Sequence, residues 1–199
     1  MTVIATMTTS VDGYITGPDD GPGNGPGTGG ERLHYWVMGR PWTYEGEHDT
    51  NGMVGVDREL YEAMTATVGA AIVGRGMYEA AGAWGGTNPF PGRLFVLTHR
   101  TEDAPDPSTG FTFVEDLASA MEQATAVAGE RDVTIGGGAE VFRQAITAGY
   151  VDELLHSTAP VILGAGKPLF DGFTQDLDLE VRQVWSSPYA THVHYAIRR

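Results

Sequence analysis

Cysteine is absent from the 199 residues, which removes disulfide staples, thiolate nucleophiles and cysteine metal sites together. Cations are scarce: 12 lysines and arginines face 26 acidic residues, a formal net charge of -14. Such a field repels nucleic acid and anionic membranes, so neither is expected as a partner, and a phosphate-bearing ligand must be met by a few local cations. Long apolar runs are missing as well. No segment approaches the roughly 20 apolar residues of a membrane helix, and the start MTVIATMTTSVDGYI carries no basic leader. A soluble, cytoplasmic protein is expected.

What is present is a hydrophobic fraction of 41%, enough for one domain with a full core over residues 1–199. No internal repeat or second domain is visible. The chain is organised around Val133 to Ile146, VTIGGGAEVFRQAI. Three β-favouring residues run into Gly136, Gly137 and Gly138, and Val141, Phe142, Ala145 and Ile146 then mark one face of a helix. Glycines at such a turn let the backbone approach a bulky ligand, and the free N–H groups of a new helix attract phosphate. The turn is either a nucleotide cradle or only a tight connection.

Strand and helix alternate along the rest of the chain. Val3–Met7 reads as a buried strand closed by the Asp12-Gly13 turn. Residues 17–50 form a Gly/Pro-rich insertion whose first part, GPDDGPGNGPGTGG, cannot hold a helix or strand, followed by a brief helix within Glu31–Arg40. Its aromatic residues either pin the loop down or line a pocket. A helix from Asp57, with Asp57 as N-cap, carries Leu60, Tyr61, Met64 and Val68. Strands at Ala70–Val73, Arg93–Thr98, Phe111–Val114 and Val151–Pro160 follow, with a helix over Leu117, Met121, Ala124 and Ala128 capped by Asp116. Such alternation implies parallel pairing, helices covering the sheet, and ligands at the carboxyl ends of the strands. Leu179–Trp185 and Tyr189–Arg198 alternate about Ser187-Pro188 as an antiparallel hairpin, with His192 and His194 on one face. The expected fold class is therefore α/β, a mostly parallel sheet with a C-terminal antiparallel hairpin.

Five stretches in order, SVDGYI, IVGRGMYE, FVLTHR, TIGGGAEV and VDELLHSTAPVILGAGKPLF, resemble the dihydrofolate reductase superfamily. The likeness is strongest to its branch typified by the reductase domain of bifunctional riboflavin-pathway enzymes, here as a free-standing bacterial member. The resemblance implies a three-layer dihydrofolate reductase-like fold that binds NADPH. Carried over by motif, Gly136, Gly137, Gly138 and Ala139 cradle the diphosphate, with Glu140 and Val141 opening the helix behind. Gly74, Arg75 and Met77 stand where the family holds the adenosine phosphates. Many relatives have Thr in place of Met77, so one hydroxyl contact is missing. Thr98, His99 and Arg100 surround the adenine ribose, and Arg75 and Arg100 are either the cations for a 2′-phosphate, favouring NADPH over NADH, or partners of the abundant acids in surface ion pairs. Ala5 and Ile15 flank the nicotinamide or belong to the core. Asp12, in the loop over that ring, either makes the turn or orients substrate and relays a proton. Asp57 is the acid nearest the register with which true dihydrofolate reductases grip pterin. Lys167 is a candidate for a sugar phosphate.

The implied activity is hydride transfer from NADPH to a small heterocycle, as in 5-amino-6-(5-phosphoribosylamino)uracil reduction. Dihydrofolate or pterin reduction and non-catalytic NADPH binding stand as alternatives. No metal is assigned, because His192 and His194, with His34 and His48, lack a third ligand at diagnostic spacing. A homodimer is expected from the resemblance, with the hairpin and the insertion aromatics Tyr35, Trp36, Trp42 and Tyr44 as its surface.

Overall fold

The computed structural model describes residues 1–44 and 52–198. In chain order these form β1 (Val3–Thr9), β2 (Tyr14–Thr16), α1 (Tyr35–Met38), α2 (Gly55–Thr67), β3 (Val68–Gly74), α3 (Arg75–Ala80), β4 (Arg93–Leu97) and β5 (Phe111–Val114). There follow α4 (Leu117–Ala128), β6 (Asp132–Ile135), α5 (Ala139–Thr147), β7 (Glu153–Thr158), β8 (Lys167–Pro168), β9 (Leu179–Ser186) and β10 (Thr191–Ile197). Eight strands make one sheet in the order β5-β4-β3-β6-β1-β7-β10-β9. The first six are parallel to their neighbours, and β10 and β9 are antiparallel. This is the expected mixed α/β architecture, a mostly parallel sheet that ends in an antiparallel hairpin.

The local chemistry explains the arrangement. β3 reads VGAAIVG and is buried along its whole length, as a central parallel strand covered on both faces must be. Its side chains alternate: Ala70 and Ile72 join the core under α4 and α5, while Ala71 and Val73 join Leu94, Val96, Phe111 and Phe113 on the opposite face. The stripe Val141, Phe142, Ala145 and Ile146 is the buried face of α5. Full burial of Phe142 alone stabilises by about 2–3 kcal/mol. α4 begins where expected, with the Asp116 carboxylate accepting from Ser119 N at 2.9 Å.

The helix from residue 55 differs from its sequence reading. Its N-cap is Val54, with no side-chain cap, and Asp57 lies inside the first turn. There Asp57 is turned inward and buried rather than outward over free N–H groups. Asp57 Oδ1 lies 3.0 Å from His192 Nε2, and Ser157 Oγ lies 2.6 Å from His192 Nδ1. Tertiary pairing thus replaces capping at this residue. Among the described residues no helix is long and apolar enough to cross a membrane.

The Gly/Pro stretch holds no strand or helix before the short 3-10 turn Gly30–His34, which runs directly into α1. Trp36 is buried at its centre and donates from Nε1 to Thr8 Oγ1 at 3.1 Å. Tyr44 reaches further across and donates from its hydroxyl to Ala80 O at 2.9 Å. The insertion is therefore tied at one side to β1 and at the other to the end of α3. The remainder of the expected 17–50 insertion, residues 45–50, lies outside the described residues.

Candidate active site

All six parallel strands end on one edge of the sheet, and a cleft of about 2080 Å³ opens there. That exceeds the roughly 300–1,000 Å³ of an ordinary small-molecule site and has room for a dinucleotide and a second ligand. Strand order lays the cleft out as a row. β4 and β3 hold one end, β6 the middle and β1 the other, three strand spacings or roughly 14 Å apart.

At the middle, the Gly137–Gly138 peptide is cis, and Gly74 N donates to Gly137 O at 2.8 Å. Gly137, Gly138, Ala139, Glu140 and Val141 line the cleft. α5 starts here with no side-chain cap, so its first N–H groups are left for a ligand. A Cβ on Gly138 would meet no protein atom within 4 Å, whereas one on Gly137 would come to 2.9 Å from Met77 Sδ. The protein leaves the space beside Gly138 open. Gly136 is set back from the cleft and joins β6 to β3 by donating to Ile72 O at 2.9 Å.

At the β3–β4 end, Gly74, Arg75, Met77, Thr98, His99 and Arg100 all line the cleft, as expected. Their charge does not stand open. Glu79 Oε1 accepts from Arg75 Nε at 2.9 Å and from Arg100 Nη2 at 2.6 Å. Asp103 Oδ2 lies 3.2 Å from Arg75 Nη2 and 3.8 Å from Arg100 Nε. Two cations and two anions form a neutral cluster, which holds the Glu79 carboxyl below its ordinary range through Arg75 first and Arg100 second. Arg75 Nη1 remains buried without a hydrogen-bond partner, and the guanidinium sits 5.0 Å from the centre of the Phe113 ring. Arg75 with Glu79 and Arg100 with Asp103 are close in sequence, and the fold joins the two pairs into one cluster through Arg100–Glu79 and Arg75–Asp103.

At the β1 end the wall is Ile15, Thr8 and Trp36, continued by His34, Trp42 and Tyr44 from the insertion. Trp36, Trp42 and Tyr44 of the insertion thus face the cleft, with Trp36 buried, whereas Tyr35 lies away from it, edge to face with Tyr189 at 6.3 Å. Trp84 closes the opposite side. It and Ala83 hold positive φ angles of 48° and 50°, a cost of about 1–2 kcal/mol per residue, with Trp84 held by ring contacts to Tyr78, Phe90 and Phe111. Aromatic content in the insertion was the available signal for this wall, and it did not distinguish packing from lining.

Besides Gly136, three expected residues lie elsewhere. Ala5 is fully buried core between Ile135 and Leu154 of the neighbouring strands. Asp12 is exposed and accepts from Leu163 N at 3.0 Å and Gly164 N at 2.7 Å. The Ser10 hydroxyl, together with those two amides, lowers its carboxyl to about 2. It clasps a loop and is not among the cleft residues. Asp57 stands behind the wall, since its partner His192 packs edge-on against Trp36 at 4.9 Å. His192 and His194 share a face, yet each faces an acid, His194 meeting Glu153 Oε2 at 2.8 Å. His48 lies outside the described residues. Lys167, expected to meet a sugar phosphate, pairs with Asp20 at 2.6 Å.

The glycine turn thus lies in the middle of a parallel-sheet edge, between the arginine–carboxylate cluster and an aromatic wall. The chain belongs to the RibD C-terminal domain family, whose model it matches over residues 1–195. It is 28% identical to the uncharacterized protein YwjB of Bacillus subtilis (strain 168) over 153 residues, 76% of this chain and 82% of that protein. Among solved structures, a candidate riboflavin biosynthesis protein from Shewanella sp. PV-4 superposes with a TM-score of 0.73 at 19% identity over the whole of both chains. Dihydrofolate reductase from Enterococcus faecalis, complexed with NADP(H), gives 0.60 at 17% identity over 100% of this chain and 97% of that one. At these identities the structures carry the fold. Family and fold together point to a reductase-like enzyme.

Proposed function

We propose that the protein is an NADPH-dependent reductase acting on a small heterocyclic substrate. The observation that carries this reading is the order of the cleft: the arginines Arg75 and Arg100, balanced by Glu79 and Asp103, at β3–β4, glycine cradle and uncapped helix at β6, aromatic wall at β1. The residues fit the dinucleotide. Gly138 leaves open space beside the free amides of α5, and the orphaned Arg75 Nη1 gives a phosphate one donor that no protein group uses. When bound, the cofactor supplies the hydride.

This chain's own part is to bind, orient and shield. Neither Asp12 nor Asp57 reaches the cleft, so catalysis rests on placing the acceptor carbon against the reduced ring and on excluding water behind the anchored insertion. Trp36, Trp42 and Trp84 all line the cleft, which makes intrinsic fluorescence a direct readout. Titration with NADPH and with NADH is expected to quench it, and Gly138→Ala is expected to abolish the quench while melting within a few degrees of the wild type. Absence of binding to either nucleotide would defeat the reading. Binding without turnover across pyrimidines, pterins and flavins would leave a nucleotide-binding protein without catalysis.

A further inference from the structure

We propose that the β1 end of the cleft is built for a flat, uncharged, polycyclic aromatic ligand without a phosphate, held by the insertion through Trp36, Trp42, Tyr44 and His34. This names the substrate class of the reductase site and rests on that reading only for the identity of its neighbour in the cleft.

The first ground is the wall. His34 and Trp42 meet edge to face at 6.3 Å, and Trp42 and Tyr44 lie 6.3 Å apart at 47°. Side chains of this length in sequence present a strip longer than one ring. Met38, Met53 and Met64 add thioethers to the same lining, a soft surface that suits π-systems. The strip is preorganised rather than loose, because Trp36 is fixed through Thr8 and Tyr44 through Ala80.

The second ground is charge. A phosphate dianion is met best by cations free of a carboxylate, and the lysine at this end is already ion-paired, while Arg143 has one nitrogen committed to backbone carbonyls. Lys167 pairs at 2.6 Å with Asp20, whose side chain is only 13% exposed. Arg143 Nη1 donates to Leu169 O at 2.7 Å and to Pro168 O at 3.4 Å. Arg58 at the mouth has partners of its own. Glu62 and Asp171 line the same cleft, and the whole chain carries -14, so the field opposes an incoming phosphate.

The third ground is His34. Its Nδ1 is buried without a hydrogen-bond partner, and burial, opposed by the Gly30 backbone and the Glu31 charge, pushes its imidazole below the ordinary value, which favours the neutral ring. A neutral imidazole presents one N–H and one lone pair. That pair of groups matches the ring nitrogens and carbonyls of a heterocycle, whereas an anion would call for the charged form.

The test uses the full chain and three probes: lumichrome, which is uncharged and tricyclic, riboflavin, and riboflavin 5′-phosphate. Each is titrated with and without NADPH. Lumichrome is expected to bind, the 5′-phosphate is expected to bind no better than riboflavin, and Trp42→Ala is expected to weaken lumichrome by about tenfold. His34→Ala is expected to weaken it by about fivefold, with His34→Gln recovering part of the loss, and NADPH affinity staying within about twofold in both variants. Three results would each overturn the proposal: no lumichrome binding by protein that binds NADPH, a tenfold advantage for the phosphorylated probe, or an unchanged lumichrome affinity in Trp42→Ala. Lumichrome binding that depends on Trp42 in protein that does not bind NADPH would support this site while defeating the cofactor reading.

Discussion

Replacing Glu79 with Gln changes the charge at the adenosine end without removing the side chain. In the native cluster Arg75 and Arg100 are balanced by Glu79 and Asp103, so a 2′-phosphate meets a neutral surface and must compete with Glu79 for both guanidinium groups. Glu79→Gln leaves one net positive charge. The ion pairs released are partly solvated, with side-chain exposures of 37% for Glu79, 19% for Arg75 and 55% for Arg100. Each is therefore worth about 0.2–1 kcal/mol. Removing the Glu79 charge from both guanidinium groups, with Asp103 still in place, makes about 1 kcal/mol available to the phosphate, or roughly fivefold in Kd. NADPH should tighten by that factor while NADH, which lacks the 2′-phosphate, should not. The assay is tryptophan quenching by both nucleotides at low salt and at about 0.15 M salt, where the gain should shrink as screening grows. An unchanged NADPH to NADH ratio, or equal tightening of both, would refute the assignment of Arg75 and Arg100 to the 2′-phosphate.

Asp57→Ala strands His192 Nε2 in the core and should cost about 3 kcal/mol, a fall in Tm of roughly 6–12 °C for a domain of this size. Nucleotide affinity should persist; lost turnover at unchanged Tm would instead place Asp57 in the chemistry. The Asp12 carboxyl is lowered to about 2 in the folded protein, so its clasp on Leu163 and Gly164 is fully present above the ordinary value of 3.8 and disappears as pH falls towards about 2. Protection of the amides of residues 163 and 164, taken as exchange relative to an unstructured amide at the same pH, should be high near pH 5 and fall on that descent, and Asp12→Asn should remove it throughout; a wild type already unprotected near pH 5 would exclude the clasp. The edge strand β9 exposes Leu179, Val181 and Val184 at 41%, 57% and 55%, an unpaired apolar edge on which two copies are expected to associate. Val181→Lys combined with Val184→Lys should then halve the mass seen by sedimentation, and a monomeric wild type at micromolar concentration would refute the association.

Much of the fold was legible in the residue pattern. The period-two runs 111–114 and 179–186, the 3.6-period stripe of α5 and the Asp116 cap are local features, decided by neighbours within a few positions, and each appears where the sequence places it. The cradle around Gly137 and Gly138 was legible for the same reason, since a glycine turn between strand and helix is itself a local event. Misplacements arose where one residue type serves two purposes. Asp57 at a helix start has the composition of a cap, and only β10, 135 residues away in sequence, offers the imidazole that draws it inward. Asp12 has the composition of a turn and a proton relay alike, and it was the loop at 163–164 that claimed it.

By itself the amino-acid sequence determined the element types, the mostly parallel order and the position of the glycine cradle, because these follow from periodicity, turn chemistry and alternation. Tertiary structure alone decided which charges are free and which way the insertion faces. Ion pairing and side-chain burial depend on where the whole fold sets each residue. Arg75 meets Glu79 one turn along α3, but only the fold brings Arg100 and Asp103 to that pair, and only the fold turns Trp42 and Tyr44 to the cleft, with Tyr44 fastened to Ala80.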